Sequence, residues 1–384
     1  MAPLTIRSAS GRVPLAYVRE GDRVWLVAQY GAARWAVEIL RDGRASLELP
    51  DGPREGSCRL VPDPAGRETV LARFTEKYGR SQVDRWFHPP GRVVEVVLWS
   101  SAATEVNAPN AYFDWLESEF DSIASDYDRH ILGNRINRLL RDRSLVFLRS
   151  AFARGGRLLE VGCGSGTETV ELLADGHEIL AVDISARMLE TVQAKARGLG
   201  LSERLSVVKL RAGRVGELVE REGRGSFAGI YSTYGALNCE PDLAPLLPAF
   251  RRLLREDGSL VAGVFNRWCA FETVVYSLLF QRRRAWGRHA SPVSAEASRF
   301  CVDAFAYSVP EFAGAFSAEF RPTRIEGVPV LLPPSDLARY VEMFAPHLPT
   351  LMRLDGAVGR HFPFSWLGDH FLMELLPHPV ARKD

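Results

Sequence analysis

Arg157-Leu158-Leu159-Glu160-Val161-Gly162-Cys163-Gly164-Ser165-Gly166-Thr167 decides how this chain folds. Its first five residues read as a short buried strand, and three glycines at alternate positions lead into a helix over Thr167–Ala174. A side chain at the glycine positions would keep the backbone away from a ligand laid across the loop, and some turn positions require positive φ. Strand, glycine loop and helix in this order predict an open α/β sheet whose ligand sits at the carboxyl ends of its strands.

A second strand, Glu178–Val182, runs into Asp183, 23 residues beyond Glu160. A carboxylate there is positioned to accept hydrogen bonds from both hydroxyls of a ribose. A dinucleotide enzyme competes up to this point. The loop, however, reads G-x-G-x-G and places Thr167 where the dinucleotide fingerprint needs its third glycine, the one that packs a helix closely beside a pyrophosphate.

Glu160, the glycine loop, Asp183 and the Asp257-Gly258 turn before a strand over Ser259–Phe265 come in order, behind a leading segment Phe120-Asp121-Ser122-Ile123-Ala124 with Tyr127-Asp128. From Phe120 to Phe265 this resembles the class I S-adenosylmethionine-dependent methyltransferases. The resemblance implies a Rossmann-like α/β domain, a mixed seven-stranded sheet with helices on both faces. It implies S-adenosylmethionine as cofactor, with Glu160, Gly162, Gly164 and Gly166 near its methionyl part and Cys163 as a small lining residue. Asp183 would hold the ribose, Ile184 and Met188 would flank the adenine, and Tyr127 would close the site. The fourth strand, Phe227–Ser232, ends in Ser232 at the donor site and runs into Thr233-Tyr234-Gly235, where the family places the residues between donor and acceptor. After the third strand the family commonly offers an acid near the adenine amino group. Arg211-Ala212 stands there instead.

Methyl transfer from a sulfonium mainly requires alignment and exclusion of water, with a base only for acceptors that must lose a proton. Tyr234 is the best-placed catalytic candidate, although an aromatic of ordinary high pKa shapes a pocket more readily than it takes a proton. Asp369 and His370 are further candidates; a capped turn before a last strand, Phe371–Leu376, is the preferred reading of them. The expected activity is transfer of a methyl group to a small organic acceptor.

Before this domain, short β-type runs at Leu15–Val18, Val24–Gln29, Trp35–Ile39, Ala45–Leu49, Ser57–Val61 and Val93–Trp99 alternate with turn dipeptides, and one helix is expected over Arg67–Phe87. Ser10-Gly11-Arg12, Pro14-Leu15, Tyr17, Gly21-Asp22 and a hairpin containing Trp35 resemble the split-barrel family of deazaflavin-dependent nitroreductases. This implies a small β-barrel and allows a flavin or deazaflavin there, while the missing N-terminal helix and shortened Tyr30–Trp35 loop favour a barrel used for covering or pairing. The expected division is a barrel over 1–100, a linker over 101–112 and a methyltransferase domain over 113–384, with a substrate-covering insertion at about 266–322.

With 384 residues, two domains are the natural expectation. A net charge of +1 with interleaved acids and bases argues against a nucleic-acid partner. No apolar run is long enough to span a bilayer and no secretory signal opens the chain, so the expected location is cytoplasmic. Five scattered cysteines without a C-x-x-C pair indicate neither a disulfide framework nor a metal site. An aromatic helix over Trp268–Phe280 precedes Arg282-Arg283-Arg284; a buried helix with a solvated basic end is favoured over membrane association. The alternatives carried are a bifunctional methyltransferase and flavin- or deazaflavin-dependent reductase, a methyltransferase acting on a lipid-like substrate at a membrane surface, a donor-binding regulatory protein, and a homodimer paired through the barrel.

Overall fold

A computed structural model describes residues 4–8, 11–28, 33–61, 63–87, 91–99, 111–290, 292–293 and 302–379. The chain divides into two compact units after Glu119. The linker expected over 101–112 lies outside the described residues up to 110.

In the first unit, β1 (Leu4–Ser8), β2 (Gly11–Leu15), β3 (Tyr17–Glu20), β4 (Arg23–Ala28), β5 (Arg44–Leu49), β6 (Gly52–Leu60) and β7 (Arg92–Leu98) pair antiparallel in the order β2-β1-β5-β6-β7-β4-β3. Their helices are α1 (Arg34–Asp42), α2 (Pro64–Tyr78) and α3 (Arg80–Trp86). Among the described residues the end strands β2 and β3 are not paired with each other, so the sheet is an antiparallel half-barrel, and the small split-barrel-like domain expected is not confirmed.

The strand expected over Trp35–Ile39 is instead α1. Its β-branched and aromatic residues suggested a strand. Trp35, Ala36, Ile39 and Leu40 nevertheless recur at helical spacing and bury together, and Gly43, left-handed at φ 69°, ends the helix. Asp42-Gly43 thus ends this helix, and the hairpin containing Trp35 that supported the split-barrel resemblance is absent. The single helix expected over Arg67–Phe87 is broken at Gly79, whose φ of 83° no helix accommodates. Behind this sheet, α4 (Ala111–Ile123) buries Tyr112 and Trp115 in the unit's core, and the Arg92 guanidinium lies over the Trp115 ring while pairing with buried Glu119.

In the second unit, β8 (Arg157–Val161), β9 (Glu178–Asp183), β10 (Leu205–Lys209), β11 (Phe227–Ser232), β12 (Leu254–Phe265), β13 (Phe320–Val328) and β14 (His370–Pro377) form the mixed seven-stranded sheet, in the order β10-β9-β8-β11-β12-β14-β13. The first five strands in that order are parallel; β14 runs antiparallel to both neighbours. Alternation along β8 sends Leu159 and Val161 to one core and Leu158 to another. Over the first core lie α10 (Leu246–Leu253) and α13 (Val309–Phe316), where Phe250 and Phe316 stack at 6.3 Å. The second core is covered by α6 (Arg135–Ala151), α7 (Thr167–Ala174) and α8 (Ala186–Gly198) through Leu140, Phe147, Leu172 and Val192. Strand order reverses between β8 and β11, which opens a crevice beyond their carboxyl ends.

Phe250 is fully buried at the centre of its core. Phe250→Ala is expected to lower the unfolding free energy of this unit by about 3–5 kcal/mol, checked by chemical denaturation; a loss under about 1 kcal/mol, by the same scale, would show that the core repacks around the void.

Candidate functional site

The loop after β8 needs its glycines for two separate reasons. Gly162, Gly164 and Gly166 have φ of 77°, 51° and 76°, a region that L side chains rarely enter. A Cβ at Gly162 would overlap the Cβ of Ala236 in the loop after β11, and one at Gly166 would overlap the Val192 side chain of α8. A Cβ at Gly164 would meet only the Tyr127 ring, at 3.7 Å. Two glycines therefore permit close packing, and the middle one leaves a cradle covered by Tyr127 of α5 (Tyr127–Leu132).

Asp183 ties the strand ends together. Its Oδ2 accepts the Gly164 N–H at 2.8 Å and its Oδ1 accepts the Ser185 N–H at 2.9 Å. Burial pushes its carboxyl up to about 6, against the pull of those two N–H donors. Glu160, 2% exposed, accepts the Thr169 hydroxyl at 2.5 Å. Burial, with Glu168 nearby, pushes it up to about 8, far above the usual carboxylate range, which favours its neutral form.

The leading segment is fastened by polar contacts. Ser165 donates to Asp128, whose other oxygen pairs with Lys195 at 2.5 Å. Asp121 accepts the Ser185 hydroxyl at 2.6 Å, and Ser185 Oγ in turn accepts the Met188 N–H as the N-cap of α8. Met188 is buried, Ile184 half-buried, and both lie at the β9–α8 junction. Cys163 is buried, and its thiol is pushed well above the ordinary range by burial and the neighbouring carboxylates. Ser232, 1% exposed at the end of β11, has a hydroxyl without a hydrogen-bond partner among the described residues. In place of the acid expected after β10, Glu240 arrives from another loop and accepts the Gly213 N–H at 2.8 Å, close to the charge of Arg211.

Tyr234 has a positive φ of 58°, and Gly235 after it has 79°. For an aromatic residue this is a strained backbone, kept only where its surroundings enforce it. Against its ring lies Arg141, whose guanidinium is 4.1 Å from the ring centre and pairs with buried Glu168. Burial and Glu168 raise the Tyr234 hydroxyl well above its usual range.

Because β14 is antiparallel, its first residue, His370, shares the ligand edge with the last residue of β12, Phe265. The His370 ring stands 5.4 Å from Phe265 and 6.5 Å from Tyr234. Its Nδ1 faces Asp369 Oδ2 at 3.1 Å, and among the described residues no hydrogen bond engages its Nε2. Asp369, 1% exposed, also accepts from the buried Arg288 at 2.6 Å. Burial works against its ionisation, but Arg288 and His370 hold the carboxyl below the usual range. Cys269, Glu272 and Asp369 place a thiol and two carboxylates within 4.8 Å of one another, and the cation bonded to both carboxylates there is Arg288. The turn at Asp369-His370 is therefore one end of a buried charged network. Its key member, Arg288, carried no signal in the sequence because it lies 81 positions away. Thr169, Ser185 and Asp121 were legible in principle, as a hydroxyl one turn into α7, an N-cap and a carboxylate beside the quoted Phe120.

Residues 158–258 match the methyltransferase domain family. A putative methyltransferase of Geobacillus sp. (strain WCH70) is 30% identical over 115 residues, 29% of this chain and 43% of that protein. The demethylmenaquinone methyltransferase of Beutenbergia cavernae is 30% identical over 159 residues, 40% of this chain and 60% of its own length. The chain thus spans about half the length of these curated relatives. Among solved structures, the Burkholderia thailandensis 1,6-didemethyltoxoflavin-N1-methyltransferase with bound S-adenosylhomocysteine aligns with a TM-score of 0.43 and 20% identity, over 72% of this chain and 92% of that one. The matched segment contains the carboxyl ends of β8, β9, β10 and β11, and stops before Phe265 and β14.

A carboxyl held protonated by burial makes the folded state bind a proton that the unfolded chain releases above 4.5, so stability falls as pH rises toward about 8. Asp183, raised to about 6, acts in the same direction. Glu160→Gln is expected to flatten part of that fall, read as melting temperatures across the interval; an unchanged slope would mean that Glu160 ionises like an exposed acid.

Proposed function

We propose that this chain is an S-adenosylmethionine-dependent methyltransferase acting on a small organic acceptor. The observation that carries the reading is the Gly164 N–H held on the Asp183 carboxylate at 2.8 Å, at the carboxyl ends of adjacent parallel strands. The residues present fit the donor. Gly164 leaves a cradle under Tyr127, Asp183 keeps lone pairs for two ribose hydroxyls, and the buried Ser232 hydroxyl awaits a partner. When bound, S-adenosylmethionine would supply an electrophilic methyl on a sulfonium, which an acceptor would take in line with the thioether of S-adenosylhomocysteine as leaving group.

The protein's own part is to bind, orient and dry the site. Asp183 orients the ribose, and Tyr127 with the Asp128–Ser165–Lys195 contacts covers the loop from outside. Glu160 lies behind the loop at the methionyl end, where a ligand's ammonium would favour its ionised form. Tyr234, clamped by Arg141 and with its hydroxyl raised, serves as a wall and not as a base. His370 is the group suited to take an acceptor's proton. Asp369 fixes its Nδ1–H while no hydrogen bond among the described residues engages its Nε2, and Arg288 keeps Asp369 ionised. This favours an acceptor whose hydroxyl or acidic N–H or C–H must be deprotonated.

Calorimetric titration with S-adenosylhomocysteine tests the donor half. Tight binding that weakens at least roughly tenfold in Asp183→Ala is expected for lost ribose hydrogen bonds, and no binding by the unaltered protein would overturn the reading. Binding at neutral pH should also release a proton from Glu160, visible as a dependence of the measured heat on buffer ionisation enthalpy. With an acceptor found by screening phenols, heterocycles and enols, His370→Gln should slow transfer by roughly 10²- to 10⁴-fold without changing S-adenosylhomocysteine affinity. An unslowed variant would leave deprotonation to water or to the acceptor itself.

A further inference from the structure

The insertion after β12 ends its helix α11 (Ala270–Leu278) in an unusual way. Phe280 N–H bonds to Ser277 C=O at 3.0 Å and Gln281 N–H to Tyr276 C=O at 2.8 Å, the paired closure that puts a left-handed residue just past a helix. Glycine is the usual occupant of that position. Here it is Phe280, at φ 56° and 91% exposed. Leu278 and Leu279 beside it are 73% and 54% exposed. A strained backbone that holds an apolar ring out in water needs an occupant for that surface.

The residues directly after Phe280 set the charge of that occupant. Arg282, Arg283 and Arg284 are all exposed, and no acidic residue occurs from Thr273 to Ala290. Among the described residues no carboxylate pairs with Arg282 or Arg283. Trp286 and Trp268 are also partly exposed and meet edge to face at 6.2 Å, beside the arginines. The opposite side of this segment is anchored: Tyr276 and Ala285 pack with Leu337, and Arg288 bonds to Glu272 of α11 at 2.7 Å. The tip is therefore a fixed projection.

We propose that Leu278-Leu279-Phe280 with Arg282-Arg283-Arg284 is a docking surface for an anionic phospholipid membrane. The apolar tip enters the acyl boundary, the arginines meet lipid phosphates, and the tryptophans sit at the headgroup level. No helix among the described residues is long and apolar enough to cross a membrane, so the contact is peripheral. The proposal is independent of the methyl-transfer reading and could hold if that reading failed.

Sedimentation of the full chain with vesicles of phosphatidylcholine alone, and with added phosphatidylserine, tests it. Binding is expected to the mixed vesicles, falling with salt, and weak to phosphatidylcholine alone. Phe280→Asp with Leu278→Asp should abolish binding, and each Arg→Ala in the triplet should weaken it about fivefold; unchanged melting temperatures and S-adenosylhomocysteine heats would show that the fold is intact. Absence of sedimentation with either vesicle, equal binding to both, or binding indifferent to these substitutions would overturn the proposal. So would sedimentation-velocity data in which the same substitutions split a dimer, since the tip would then serve a second copy of the chain.

Discussion

The hydrogen bond from the Gly164 amide to Asp183 is the constraint on which the site depends. It ties the loop beyond one parallel strand to the end of the next, so neither the loop nor the carboxylate can move alone. For that bond to form, Gly164 must sit at positive φ, Gly162 must pass against Ala236, and Gly166 must start α7 tightly against α8. The same carboxylate seats the first turn of α8 through Ser185, and Ser185 fastens the leading helix through Asp121. One buried acid thus sets loop, helix and cover, at the expense of its own ease of ionisation.

The geometry of the glycine loop and Asp183 was legible because its determinants are local. Positive-φ glycines, a strand-ending acid and the Asp257-Gly258 turn are written within short stretches, and the family resemblance they carry implied the mixed seven-stranded sheet. The setting of His370 was not. His370 gains its position only because β14 runs against β12, and Asp369 gains its charge from an arginine brought in by a distant insertion. Neither strand direction nor a contact spanning 81 positions leaves a periodic trace.

The N-terminal unit shows the opposite failure. Trp35-Ala36-Val37-Glu38-Ile39 has strand-forming residues yet buries as a helix, because every residue from Trp35 to Leu40 is taken into the core and Gly43 supplies a left-handed stop. Local preference lost to packing. Its seven-stranded half-barrel stands as a fold without an assigned chemistry.

The antiparallel direction of β14 has a consequence in time. Glu160, Asp183 and Ser232 all lie before the end of β11, whereas His370 enters the sheet only with β14, which inserts between β12 and β13. On the ribosome, the carboxyl ends of β8, β9 and β11 therefore emerge long before His370. The face that carries His370 forms only when β14 slots between two strands that precede it in the chain.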